Sequence, residues 1–270
     1  MTAGSSHEIY IFRSRENNRA QFFFIFSSDI QAKESFTKQS TLIIGTLFFN
    51  PPFEISTPNK KVFSGFEIDI MNAICSRMNV TCEFKAMPKL IDVFNELDDG
   101  KIDLVVGAII VLNDDMNYIY SLPYLVSTVQ FFVRKNSEIN SIADVMNSKI
   151  GTINDPLIKT FISDSYAKKQ PLLVYNDIEI GIDALDSGVI DAFALQTPST
   201  NYWMSITGNI FRLIGHPISI GFGNAIMSKN SSTSLMQQVN EALRLMQKDG
   251  TYARIYTRYN VADTINKTMH

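Results

Sequence analysis

The side chains that most often carry covalent or metal chemistry are few in this chain, and they are scattered. Cys75 and Cys82 are the two cysteines, and His7, His216 and His270 lie far apart. Two thiols with no histidine near them do not make a structural zinc site. No metal centre, no cofactor and no cysteine–histidine nucleophile is expected. Among the carboxylates, Asp155, followed by Pro156 and Leu157, is the one candidate for a general acid held in apolar surroundings. The cysteines alone allow two readings. They are two small buried hydrophobes, or they form a disulfide tying a helix end to the next strand. A bridge would need an oxidising compartment and would give about 2–3 kcal/mol for so short a loop.

The polar residues that could hold a ligand follow from a repeated phrase. LDDGKIDLVVGAIIVLNDD (97–115) returns in the second half as LDSGVIDAFALQT (185–197), with Gly188 for Gly100 and Asp191 for Asp103. In each copy glycine suits the left-handed residue just past a helix end. The apolar run that follows suits a strand covered on both faces, here Ile102–Ile110 and Val189–Leu195. One such unit per half implies two similar α/β lobes. In open α/β sheets ligands sit outside the carboxyl ends of the strands. Residues 106–115 of one lobe are therefore expected to face 195–197 of the other across a cleft.

Bulk properties exclude other classes. A net charge of −3 argues against a nucleic-acid grip. No apolar run approaches the roughly 20 residues needed to span a bilayer. Residues 1–40 do not read as part of a packed fold. Arg13, Arg15 and Arg19, then the run Phe22–Phe26, then Ser27, Ser28 and Ala32 give the basic, apolar, small order of a secretory signal. The apolar core is short, with Glu8 and Glu16 upstream and Asp29 close behind. A degraded or mis-started signal is expected, with a disordered arm or an extra strand as the alternative.

The positioning elements are legible from pattern. Thr41–Phe48 reads as a strand stopped by Pro51 and Pro52. A helix then carries Phe66, Ile70, Ala73, Ile74 and Met78 on one face, followed by a strand at Val80–Met87 and a helix with Leu90, Val93, Phe94 and Leu97. Val129–Val133 reads as a strand crossing between the halves, and Ser219–Met227 as the second crossing. Ser141 with Asp144 resembles a capping box. Strands at Lys149–Ile153 and Leu172–Tyr175 alternate with helices at Leu157–Ala167 and Ile178–Leu185. Ser234–Tyr259 is helical, broken at Gly250, and its stripe of Leu235, Val239, Leu243 and Met246 is core packing.

Six phrases together resemble one family. They are GTLFFNPPFE (45–54), GFEIDIMNAI (65–74), GKIDLVVGAI (100–109), YSLPY (120–124), SGVIDAF (187–193) and KDGTYARIYTRY (248–259). Their order and spacing are similar to those of the bacterial extracellular solute-binding proteins for polar amino acids, the partners of ABC importers. The resemblance implies a two-lobed "Venus flytrap", the type II periplasmic-binding-protein fold of the α/β class, with two hinge crossovers. Lobe one would comprise 41–129 plus 225–270, lobe two 130–224, and ligand would close the lobes. It implies a periplasmic monomer that captures a small molecule, an amino acid or a cationic amine, and delivers it to an inner-membrane ABC permease. The phrase ICSRMNVTC (74–82) is similar to the subgroup for basic amino acids, which implies a Cys75–Cys82 disulfide.

The resemblance also assigns the ligand positions, and here the chain departs from the family. The aromatic before the paired prolines falls at Asn50, beside Phe48 and Phe49, with Phe53 following. A second aromatic or apolar contact falls at Leu90. The hydroxyl-bearing run falls on Ala108, Ile110 and Leu112, so its hydroxyls are gone. The carboxylate-clamping arginine falls at Asp114 or Asp115. The second-lobe turn, Asn154 and after, falls on Asp155, Pro156 and Leu157, and the ammonium-binding aspartate falls on Gln196. Losing a bidentate arginine removes a directional, charge-assisted contact, and hydrogen bonds to charged groups contribute about 1.5–3 kcal/mol each. An acidic rim with aromatic surface suits a cation with no required free carboxylate; the alternative is that Asp114 and Asp115 only cap a helix or turn in water, and the ligand is then a small polar, amino-acid-like molecule. Two other classes are carried. One is a sensor or interaction module that kept the flytrap shell. The other is an enzyme like the cyclohexadienyl dehydratases, whose dianionic substrate calls for a basic cleft.

Overall fold

The computed structural model describes residues 40–57, 59, 61–111 and 117–259. Asp114, Asp115, Leu112 and the signal-like segment lie outside the described residues. The chain begins with β1 (Thr41–Leu47), β2 (Phe49–Asn50), β3 (Glu54–Ser56) and β4 (Phe63–Ser64). It continues through α1 (Phe66–Met78), β5 (Thr81–Met87), α2 (Leu90–Asp98), β6 (Leu104–Val105) and β7 (Tyr118–Tyr120). Next come β8 (Thr128–Arg134), α3 (Ile142–Val145), β9 (Ile150–Ile153), α4 (Pro156–Ser165), β10 (Leu173–Tyr175), α5 (Ile178–Asp186), β11 (Ala192–Gln196), α6 (Thr197–Ile206) and β12 (Phe211–Ser219). The described chain ends with β13 (Met227–Lys229), α7 (Thr233–Lys248) and α8 (Thr251–Tyr259).

Two five-stranded sheets share one plan. The first has the order β5-β1-β6-β13-β7 and the second β10-β9-β11-β8-β12. In each, the first three strands are parallel and the fourth is antiparallel to both neighbours. The fourth strand is the one that arrives from the other sheet: β8 enters the second sheet after β7, and β13 re-enters the first after β12. The repeated phrase acquires a physical meaning from this plan. Asp103 accepts from Ile43 N–H through Oδ2 at 2.8 Å and returns its own N–H to Ile43 C=O. Asp191 accepts from Lys149 N–H at 3.0 Å and donates back in the same way. Each aspartate thus clamps the third strand of its sheet to the second at its entry. Gly100 and Gly188 sit past α2 and α5 with φ of 71° and 83°, where only glycine is unstrained.

Both faces of both sheets are covered, which is why the strands read as continuous apolar runs. In the first sheet Phe66, Ile70, Met71 and Ile74 of α1 pack with Leu235, Val239, Leu243 and Met246 of α7. Val93 and Leu97 of α2 lie on the opposite face with Met87 and Val105. In the second sheet Phe131 and Val133 meet Ile158 and Ile162 of α4, while Phe132, Phe193 and Leu195 meet α5 and Trp203 of α6. Cys75 at the end of α1 and Cys82 in β5 form a disulfide, with Cα atoms 5.9 Å apart. Ser141 and Asp144 form the expected capping box at α3.

Three local expectations need correction. The strand expected at Ile102–Ile110 is only Leu104–Val105, because Gly107 and Ala108 turn the chain at φ of 141° and 56°. Val129–Val133 does not cross between the sheets; it lies wholly within β8. The passages are residues 121–127 and 220–226, which run antiparallel side by side. Asn224 N–H donates to Leu125 C=O at 2.7 Å and Tyr124 N–H to Asn224 C=O at 3.0 Å. Finally, α6, β12 and the small sheet β2-β3-β4 were not anticipated.

Candidate ligand-binding site

The carboxyl ends of the parallel strands from both sheets converge on a cavity of about 490 Å³, within the range of small-molecule sites. Its two walls differ in chemistry. From the first sheet come Phe48, Phe49, Phe53, Leu90, Ile91 and Phe94, with Asn50, Lys89 and Ala108 among them. From the second come Asn154, Asp155, Asn176, Asp177, Gln196 and Ser199. Lys89 is the single cation of the described lining.

Beneath the first wall lies a buried acid pair. Glu54 and Glu67 are both fully buried. Glu67 Oε2 accepts from the N–H groups of Gly107 and Ala108 at 2.7 and 2.9 Å, and Oε1 accepts from the Tyr124 hydroxyl at 2.5 Å. Glu54 Oε1 accepts from Asn50 Nδ2 at 3.1 Å. Burial, then the Glu67 charge, pushes the Glu54 carboxyl well above the usual range. Burial raises Glu67 too, opposed first by the Tyr124 hydroxyl and then by the two amides. Three donors favour the charged form of Glu67 over that of Glu54, whose one side-chain donor is Asn50. The two hydrogen bonds to Glu67 hold the turn at Ala108, a non-glycine residue in the left-handed conformation, a state costing about 1–2 kcal/mol. That turn aims the Ala108 carbonyl at the opposite wall.

The opposite wall answers with Gln196. Its Nε2 donates to Ala108 C=O at 2.9 Å, and its Oε1 accepts from Asn224 Nδ2 on the second passage at 3.0 Å. Gln196 is the N-cap of α6 but makes no capping bond there, so its amide is free to reach across. Phe49 adds a second bridge, edge-on to Trp203 of α6 with ring centroids 6.3 Å apart.

The second wall presents helix amino termini, positions that ordinarily attract anions. Two are already occupied by the chain itself. Asp155 Oδ1 caps α4, accepting from Leu157 and Ile158 N–H at 2.9 and 2.8 Å, and Pro156 removes one further donor. Asp177 Oδ1 caps α5, accepting from Glu179 and Ile180 N–H at 2.8 and 3.2 Å. Burial raises the Asp155 pKa, partly offset by the two amides. Asn154 Nδ2 donates to Asn176 Oδ1 at 3.0 Å, joining the two turns.

Of the residues assigned from sequence, Phe49, Asn50, Phe53, Leu90, Ala108, Asn154, Asp155 and Gln196 line this cavity. Ile110 does not. It bridges to Asn224 and packs in the core of the second sheet, because the turn at Gly107–Ala108 carries it past the wall. Lys89, Ile91, Phe94, Asn176, Asp177 and Ser199 were missed. Lys89, Asn176 and Asp177 sit in the turns after β5 and β10, and Ile91, Phe94 and Ser199 in α2 and α6; only their position beyond a strand's carboxyl end could have signalled them.

Two sheets of one plan, joined by paired passages around a shared cavity, define a bilobal ligand-binding protein. The chain belongs to the bacterial extracellular solute-binding proteins, family 3, whose family model matches residues 42–262. A crystal structure of an arginine third transport system periplasmic binding protein from Legionella pneumophila is 32% identical, with a TM-score of 0.75, covering 82% of this chain and all of that one. The arginine-binding periplasmic protein of Mannheimia haemolytica is 26% identical over 77% of this chain and 86% of its own length. The structure of an ancestral amino-acid-binding protein described as a precursor of cyclohexadienyl dehydratase is 22% identical, with a TM-score of 0.72, covering 82% of this chain and 95% of that one. At that identity it shares the fold.

Proposed function

We propose that this protein is the periplasmic, non-enzymatic receptor of an ABC importer, and that its ligand is a small organic cation captured between the lobes by hinge closure. The observation that carries this reading is the cavity, whose second wall brings two carboxylates, Asp155 and Asp177, to the carboxyl ends of the strands. Relatives named for arginine binding favour a cationic solute. The self-capped helices argue against a required ligand carboxylate. The lobes are taken as 41–129 with the segment from 225, and 130–224, with the passages at 121–127 and 220–226 as the hinge. The disulfide suits an oxidising compartment. A prephenate-like dianion would meet Asp155 and Asp177 against the single Lys89, so a dehydratase reading is disfavoured. The test is calorimetry of dialysed protein against agmatine, putrescine, arginine and neutral amino acids. Micromolar binding of the cations supports the proposal, and micromolar binding of an ordinary neutral amino acid refutes it.

A further inference from the structure

The cavity walls carry more information than charge alone. Asp155 and Asp177 each engage the backbone through Oδ1, and among the described residues neither Oδ2 has a partner. On the facing wall Asn50 lines the cavity; its Nδ2 is bonded to Glu54, which leaves its Oδ1 as an acceptor. These three groups accept hydrogen bonds, so the part of a ligand that meets them must bring donors. Apart from Lys89, the rest of the first wall is mostly apolar, with Phe48, Phe49, Phe94, Leu90 and Ile91. A diamine would strand a second charge against this surface, where an unpaired charge is costly. An apolar body would cover it.

Resting on the reading above, we propose that the cavity selects a monoamine with a bulky apolar body and no carboxylate, of which an arylalkylamine is the simplest form. The ammonium lies between Asp155 Oδ2, Asp177 Oδ2 and Asn50 Oδ1. The ring or alkyl body lies against the phenylalanine wall. Asp155 has a double role. It contributes charge to the ammonium, and by capping α4 it fills the place where a carboxylate could otherwise meet free backbone amides.

The experiment is calorimetric titration of dialysed full-length protein at pH 7 with phenethylamine, phenylalanine and putrescine. Phenethylamine is expected to bind at least tenfold tighter than putrescine and at least a hundredfold tighter than phenylalanine. Asp155→Asn keeps a capping oxygen and so keeps the helix start, but it removes the charge; it is expected to weaken phenethylamine binding about tenfold with an unchanged melting temperature. Binding of putrescine without phenethylamine overturns this inference while leaving the cationic-solute reading standing. Phenylalanine binding as tightly as its amine overturns both, since the carboxylate would then be accommodated. No binding of phenethylamine overturns the inference whatever the other two ligands do.

Discussion

Replacing Gln196 by alanine should open the cleft. In this structure the Gln196 amide donates to Ala108 C=O at 2.9 Å and accepts from Asn224 Nδ2 at 3.0 Å, and the residue is only 5% exposed. Each such bond contributes about 1 kcal/mol net. In an open cleft water would satisfy the same groups, so the loss falls almost entirely on the closed state. Two bonds amount to about 2 kcal/mol, a shift of about thirtyfold in the closed-to-open ratio. Apparent ligand affinity should fall by up to the same factor, since binding to a less populated competent state is weakened in proportion. Spin labels on cysteines introduced at the exposed positions Glu83 and Lys168 would report the separation of the two sheets by pulsed electron resonance, the native cysteines being paired. Gln196→Ala should populate a longer distance to a greater extent than the unsubstituted protein does, each measured without ligand. Identical distance distributions in the two proteins would refute the latch.

The buried acid pair predicts a pH dependence. Because the Glu54 pKa is raised on folding, the folded protein binds more protons than the unfolded chain above the ordinary glutamate range, and stability falls as pH rises through that window. Glu54→Gln should flatten the decline in melting temperature as pH rises above the ordinary glutamate range; an unchanged slope would exclude Glu54 as its source. Reducing the Cys75–Cys82 bridge should cost about 2–3 kcal/mol and lower the melting temperature by roughly 5–10 °C, measured by calorimetry with and without reductant. Asp155→Ala should lose about 1 kcal/mol of stability through the missing cap while Asp155→Asn loses little, compared by urea unfolding; equal stabilities of the two variants would contradict the capping role.

The repeated Gly-x-Ile-Asp phrase was the most legible part of the sequence, because its parts act locally: glycine ends the helix, and aspartate clamps the adjacent strand. The over-long strand expected at Ile102–Ile110 shows where this fails. An apolar run carries no mark of the turn at Gly107–Ala108, which exists because Glu67, forty residues upstream in sequence, supplies an acceptor for its amides. Glu67 itself looks like an exposed first-turn acid. β12 was obscured because Gly215 and Pro217 interrupt its alternation and the register shifts between Ile214 and Ile218. α6 was hidden by Pro198 and by a run of serine and threonine with weak helix propensity. The ligand positions assigned by resemblance fell mostly on the cavity, but their roles changed. Asp155 caps a helix and Gln196 ties the lobes together, and neither role can be read from residue type alone.

The most direct test is a crystal structure of the protein purified from its native host without dialysis, so that the physiological ligand is carried along. The account predicts density between the two sheets for a small cation, with its charged end against Asp155 and Asp177 and no carboxylate on the α4 amino terminus. Density for a zwitterionic amino acid whose carboxylate displaces Asp155 from Leu157 and Ile158 would contradict it.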